Sequence, residues 1–312
     1  MKKGLLRFCF AALVVFASVV VIDMVVGKIT DFMLSQISNQ GDTGKTYYSL
    51  NDVSTPVVIV GSSRAVNHYN TQMIEDSLCI PTYNVGRSAC FFSYNCCVVN
   101  SILDRYTPKL IIWENEITEL YAGIRDPLQH MYPYYGSNSW GKQFIDEDLL
   151  WSERVKLNCR IYRYNSVIPR IAGRYLGRKS FVDEKEKGYE PLAPKKLKQK
   201  LELKQEEYDY TELSKTKIDR FQAILERAHK MGVKMVIVDS PKYYLYDQNN
   251  LSATKIKEMC NQYGVLFLDN SQLPELLAHV EYFNDYKHMN TIGATVYTKL
   301  FIKQISEYVK AE

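Results

Sequence analysis

The sequence predicts an α/β fold, a three-layer sandwich around a central parallel sheet of the flavodoxin-like kind, preceded by one membrane-crossing helix. Three observations carry this. From Pro56 onward, short β-branched runs alternate with segments of helical period, the pattern of parallel strands joined by crossover helices. A nearly uncharged run, Phe8 to Gly27, stands near the start. The rest is ordinary in composition: of 312 residues, 46% are hydrophobic and 24% charged, which excludes a wholly disordered chain and a polytopic transporter. A formal charge of +4 is too small for a nucleic-acid footprint, so no such partner is expected.

The apolar run holds twenty residues and a single charge, Asp23. At 1.5 Å per residue it makes roughly 30 Å of helix, the thickness of a bilayer core. Lys2, Lys3 and Arg7 precede it with no acid among them, so the positive-inside rule keeps the N-terminus cytoplasmic. The bulk of the protein is then expected outside the cytoplasm, periplasmic or on the cell surface. A cleaved signal peptide and a buried core helix are competing readings, although no A-x-A-like site follows the run. We assign residues 1–30 to the anchor, 31–55 to a stalk or linker that includes the polar stretch Gln36 to Ser54, and 56–312 to the α/β domain. Gly44-Lys45-Thr46 lacks the earlier glycine of a P-loop, because Asn39 stands there.

Val57–Val60 is the first expected strand, followed by a helix through Met73 and Ile74 and a short strand near Tyr83–Val85. Ser88 to Arg105 reads as a helix with Phe92, Cys96, Val99 and Leu103 on one face. Lys109–Trp113 is the third strand. Ile218, Phe221, Ile224, Leu225 and Ala228 repeat at helical spacing until Gly232. Val233–Val238, a helix over Thr254–Tyr263, a strand over Val265–Leu268 and a last helix from Thr291 to Val309 complete the sandwich. A charged insertion is expected at about 125–212. Its most charged part, Val182 to Tyr208, reads as exposed and partly helical. Seven cysteines show no C-x-x-C spacing; Cys9 lies in the anchor, and the other six read as buried free thiols rather than a metal site or disulfide framework.

Three places hold residues suited to chemistry. Gly61-Ser62-Ser63-Arg64 directly follows the first strand, where ligands of open parallel sheets collect. Asp285-Tyr286-Lys287-His288 precedes the last helix; a carboxylate three residues before an imidazole can hold the ring in one tautomer. His68, His130, His229 and His279 have no such neighbour in sequence. Gly86 after the second strand and Asn115 after the third are candidate donors to a developing oxyanion. Each place alone has a plain structural reading as a turn or helix cap. Together they would gather along one sheet edge. No spacing implies a metal or organic cofactor.

At these residues the chain resembles the SGNH (GDSL-like) hydrolase superfamily. The blocks are GSSR at Gly61–Arg64, NVG at Asn84–Gly86, WENE at Trp113–Glu116 and DYKHMN at Asp285–Asn290, followed by Gly293-Ala294. With its anchor the chain looks like the DltD-like, alginate-acetylation-type branch. The resemblance implies Ser63 as nucleophile, His288 as general base and Asp285 as its orienting carboxylate. It also implies an oxyanion hole from the N–H groups of Ser63 and Gly86 with the Asn115 amide. Ser62 replaces the usual Asp of the first block and Trp113 the usual glycine of the third. Implied too are an acyl-ester or polysaccharide substrate and an integral membrane acyltransferase as partner. An esterase and an O-acyltransferase share this serine chemistry, and a non-catalytic polysaccharide-binding or scaffolding module is the alternative.

Tyrosine is over-represented, with 24 residues. Tyr134 and Tyr243 lie on stretches after the third and fourth strands and are candidate sugar-stacking surfaces. Arg64 is a candidate for an anionic polymer, with a structural ion pair as the other reading.

Overall fold

The computed structural model describes residues 2–165, 167–177, 186–196, 201–206, 210–247 and 250–310. Its contacts divide the chain into two compact units, residues 1–47 with 129–180 and residues 48–128 with 181–312. In chain order the helices are α1 (Lys2–Gln36), α2 (Gly41–Asn51), α3 (Ser63–His68), α4 (Thr71–Leu78), α5 (Phe92–Arg105), α6 (Ser139–Asp148) and α7 (Trp151–Lys156). They continue as α8 (Arg160–Tyr164), α9 (Ile168–Tyr175), α10 (Lys215–Lys230), α11 (Leu251–Gln262), α12 (Pro274–Leu277) and α13 (Thr291–Lys310).

The second unit contains a parallel sheet of five strands: β1 (Val57–Val60), β2 (Thr82–Asn84), β3 (Leu110–Glu114), β4 (Lys234–Asp239) and β5 (Leu266–Asp269). Each lies within one residue of the segment read from sequence. Every residue of β1, β2 and β3 is buried, as strands covered on both faces require. On one face Val57, Ile59, Ile112 and Val238 share a core with Tyr297, Phe301 and Ile305 of α13. On the other, Trp113 stacks on Phe92 of α5 at 5.7 Å and meets Phe221 of α10 edge-on at 5.5 Å. Each such buried side chain contributes about 1.5–3 kcal/mol over its exposed state.

The strand order β2-β1-β3-β4-β5 reverses direction between β1 and β3. That reversal opens a crevice at the carboxyl ends of these two strands, the usual ligand position in such sheets. Ser63 follows β1 and Asn115 follows β3.

In the first unit α1 is long and apolar enough to cross a membrane, and its most apolar stretch is unburied. Its far end packs on α8 and α9. Asp23 accepts the main-chain N–H groups of Arg160 and Ile161 at 2.9 and 2.8 Å.

Three expectations need correction in detail. The polar stretch Gln36 to Ser54 is largely the helix α2, in which Thr43, Lys45, Thr46 and Ser49 are buried. Among the described residues, the insertion expected at about 125–212 carries a 3-10 turn at Gln129–Tyr134 and four short helices, α6 to α9, each too brief to show several turns of periodicity. The charged stretch 182–208 lies partly outside the described residues, at 182–185, 197–200 and 207–208. Its described middle does not stand off: Tyr189 is buried, Glu190 N–H donates to the Val66 carbonyl at 2.9 Å, and Thr291 N–H donates to that of Leu192 at 2.7 Å. Cys90, Cys96, Cys97 and Cys260 are buried thiols, whereas Cys9, Cys79 and Cys159 are exposed, and none of the seven is in a disulfide.

Candidate active site

Gly61 makes the turn that presents Ser63. Its φ of 149° suits glycine, and a Cβ there would meet the Glu114 carbonyl oxygen at 2.7 Å and Ala65 Cβ at 2.8 Å. The chain therefore leaves β1 sharply, with Ser62 as N-cap and Ser63 as first residue of α3. The Ser63 N–H thus belongs to the first helical turn, whose donors have no intrahelical acceptor.

The opposite wall is a tight loop before α13. Asp285 Oδ1 accepts the N–H groups of Lys287 and His288 at 2.8 and 2.9 Å. Asn284 N–H donates to the His288 carbonyl at 2.9 Å, which closes the loop. Asn290 caps α13 by accepting from Ile292 and Gly293. At Gly293 a Cβ would strike the Tyr282 carbonyl oxygen at 2.5 Å. These contacts account physically for the Asn and Gly of the DYKHMN block and the residues after it.

Ser63 Oγ lies 2.8 Å from His288 Nε2 across 225 residues of sequence. His288 Nδ1 lies 3.0 Å from both Asp285 oxygens. An ionised carboxylate only accepts, so the ring proton sits on Nδ1 and the Nε2 lone pair receives the Ser63 hydroxyl. Burial acts to raise the Asp285 carboxyl, but its bonds from His288 and Lys287 outweigh that and hold it below the ordinary value. Asp285 therefore stays ionised and the imidazole keeps one tautomer.

The other sequence candidates are placed differently. Gly86 has one N–H, and it donates to Asn84 Oδ1 at 2.9 Å; as an oxyanion donor it is already committed. Asn115 is buried, and its amide donates to the Glu116 carbonyl at 3.2 Å, which leaves a second amide hydrogen. Arg64 is buried and bonded to Asp239, Glu114 (3.1 Å) and the Ser240 carbonyl (2.9 Å), with Glu116 at 3.7 Å. Burial would lower its charge affinity, but these carboxylates hold it protonated; it closes an ion network and offers no polymer contact. Tyr134 is buried in the first unit, with its hydroxyl donating to the Thr43 carbonyl at 3.1 Å. Tyr243 is buried in the sheet core against Phe283 at 5.2 Å. Neither exposes a face for stacking. The partly exposed pair is Tyr244 on Tyr286, parallel within 20° at 4.7 Å, with Lys204 over both rings.

Sequence reasoning missed His68. It is fully buried on α3, five residues after Ser63. Its Nε2 accepts the Met289 N–H at 3.0 Å, so Nδ1 carries the proton and donates to Ser240 Oγ at 2.7 Å. Ser240 Oγ in turn donates to Glu114 Oε1 at 3.0 Å. Burial, then Arg64 and His288, push His68 well below the ordinary histidine value and keep it neutral. A cleft beside this loop is lined by Lys287, Glu116, Glu119, Arg125, Phe91 and Tyr210 among others. Burial and Glu116 push the Glu119 carboxyl up to about 8.

No protein-family model matches the chain, and no curated protein matches it. Among solved structures, the psychrotrophic esterase EstA from Pseudoalteromonas sp. is similar over 82% of this chain and 98% of its own, at 7% identity and a TM-score of 0.44. TesA is similar over 80% and 98%, at 8% identity and 0.42. The lipase/acylhydrolase from Enterococcus faecalis is similar over 82% and 98%, at 6% identity and 0.40. At such scores the chemistry of this chain has to follow from its own atoms.

Proposed function

We propose that this chain is a serine ester hydrolase or O-acyltransferase of the SGNH type, with Ser63, His288 and Asp285 as its triad. The observation that carries the reading is the unbroken run from Ser63 Oγ through the His288 ring to Asp285, assembled from opposite ends of the domain. Ser63 Oγ attacks an ester carbonyl while His288 Nε2 takes its proton. The tetrahedral oxyanion forms beside the Ser63 N–H at the start of α3, with the spare Asn115 hydrogen as second donor. Collapse breaks the bond to the alcohol oxygen, which leaves with the proton from His288, and the acyl group stays on Ser63. Water or a hydroxyl acceptor, deprotonated by the same ring, then releases the acyl group.

We further propose that α1 tethers this unit to the outer face of a membrane, where the substrate is an acyl ester of a cell-envelope or secreted polysaccharide. Tethering favours transfer beside an integral membrane acyltransferase. The cleft with Glu119, Arg125 and Tyr210 holds groups that can bond the hydroxyls of an alcohol. The test is turnover of an acetyl ester with and without a soluble polyol. Ser63→Ala and His288→Ala are expected to lower kcat by about 10⁴-fold or more. Acylated polyol identifies the transferase, and free acid alone the esterase.

One observation favours a second reading, a non-catalytic module: the N–H of Gly86 is bonded to Asn84. Unchanged and negligible turnover in both variants and the native chain would support it.

A further inference from the structure

The first unit leaves a set of large apolar side chains in the open. Leu150, Trp151 and Val155, on and just before α7, are 75%, 70% and 55% exposed. Trp151 and Val155 are four apart, so they share one helix face. Soluble surfaces do not hold such a cluster without use for it.

Depth gives the use. Gly27 ends the apolar run of α1, and a Cβ there would collide with the aliphatic stem of Arg160 at 2.2 Å. The start of α8 is thus packed on α1 at the level where the run ends. Asp23, four residues deeper or about 6 Å along the helix, is met by the N–H groups of Arg160 and Ile161 and by Cys159 Sγ at 3.0 Å. These residues therefore stand at the boundary of a bilayer that α1 crosses. α7 ends only four residues before Arg160. Between 150 and 177 the chain has one acid, Glu153, against Arg154, Lys156, Arg160, Arg163, Arg170 and Arg174. Tryptophan and leucine beside an excess of cations are the residues of the membrane interface.

We propose that the face bearing Trp151 and Val155, with Leu150 just before it, lies in the headgroup layer of the bilayer crossed by α1, as a second membrane contact of this chain. It rests on the anchor reading of α1. The occupant is lipid, because α7 is joined by a short link to Arg160, which packs on α1 where its apolar run ends.

The full chain, reconstituted into phosphatidylcholine–phosphatidylglycerol vesicles with acyl chains brominated near the headgroup, is compared with its Trp151→Phe variant. Both should float with the vesicles. The emission difference between them, which isolates Trp151 from Trp113 and Trp140, should be strongly reduced by brominated lipid. A difference spectrum of equal intensity in brominated and plain vesicles, with both proteins floating, overturns this inference alone. Failure to float overturns the anchor reading itself. Trp151 unquenched in these vesicles but shielded from aqueous quencher in native membranes would assign the face to a protein partner and overturn the lipid contact.

Discussion

His68 Nε2 accepts the main-chain N–H of Met289 at 3.0 Å, so a buried ring on the helix that carries Ser63 holds the residue next to His288. Both walls of the site are thereby referred to one rigid part. The bond explains how a partly exposed loop, with the Asp285 and His288 side chains 56% and 26% exposed, keeps a 2.8 Å contact to Ser63.

The acceptor is the working atom in this arrangement. His68→Gln offers an amide oxygen near the Nε2 position, whereas the shorter His68→Asn places its amide near Nδ1, out of reach of the Met289 N–H. We expect His68→Gln to keep kcat within a few-fold and His68→Asn to lower it by about 10²-fold, the cost of a displacement near 1 Å. Steady-state kinetics on both decide it. Equal losses in kcat, or a loss in KM alone, would remove the positioning role.

The neutral ring also makes stability depend on pH. The unfolded value is about 6.5 and the folded value lies well below it, so the unfolded chain binds the proton first. The contribution is fully present above about pH 6.5 and is lost as pH falls toward the folded value, by up to about 1.4 kcal/mol per pH unit. Denaturant unfolding from pH 7 to 5 should show a steeper decline in the native protein than in His68→Gln. Parallel curves would contradict it.

Arg64 is a stability residue. Truncating it leaves Glu114 without a cation and Asp239 with Lys242 alone at 3.9 Å, both carboxylates on fully buried side chains. Breaking a buried pair from one side costs about 3–5 kcal/mol. Arg64→Ala should unfold at clearly lower denaturant, which chemical denaturation followed by circular dichroism will show. Unchanged stability with a raised KM would restore the substrate role read from sequence.

Asp285→Asn replaces an acceptor by a group that can donate to His288 Nδ1 and so turn its proton to Nε2. Ser63 would then face a donor. kcat is expected to fall by about 10⁴-fold with folding intact, measured by ester turnover and circular dichroism. Retained turnover would show that the carboxylate is dispensable.

Much of this was legible in sequence for identifiable reasons. β1, β3 and β4 are buried on both faces and read as continuous apolar runs, and the turns after them carry Gly61, Ser63 and Asn115. Asp285 and His288 are visible because their contact is local, three residues apart. His68 was not, because its partners Ser240 and Met289 lie 172 and 221 residues away. The commitment of Gly86 depends on the side-chain rotamer of Asn84, which no spacing encodes. Tyr134 and Tyr243 looked available since loop aromatics read alike whether they face solvent or a core. Arg64 needed three carboxylates from two other strand ends before its ion network appeared.

The most direct test of the central claim is active-site titration with a fluorophosphonate, which phosphonylates only a serine activated by its histidine. The account predicts about one label per chain, located on Ser63 by peptide mass and abolished in both Ser63→Ala and His288→Ala. Absence of label in the folded native protein, or label that survives Ser63→Ala, would contradict it.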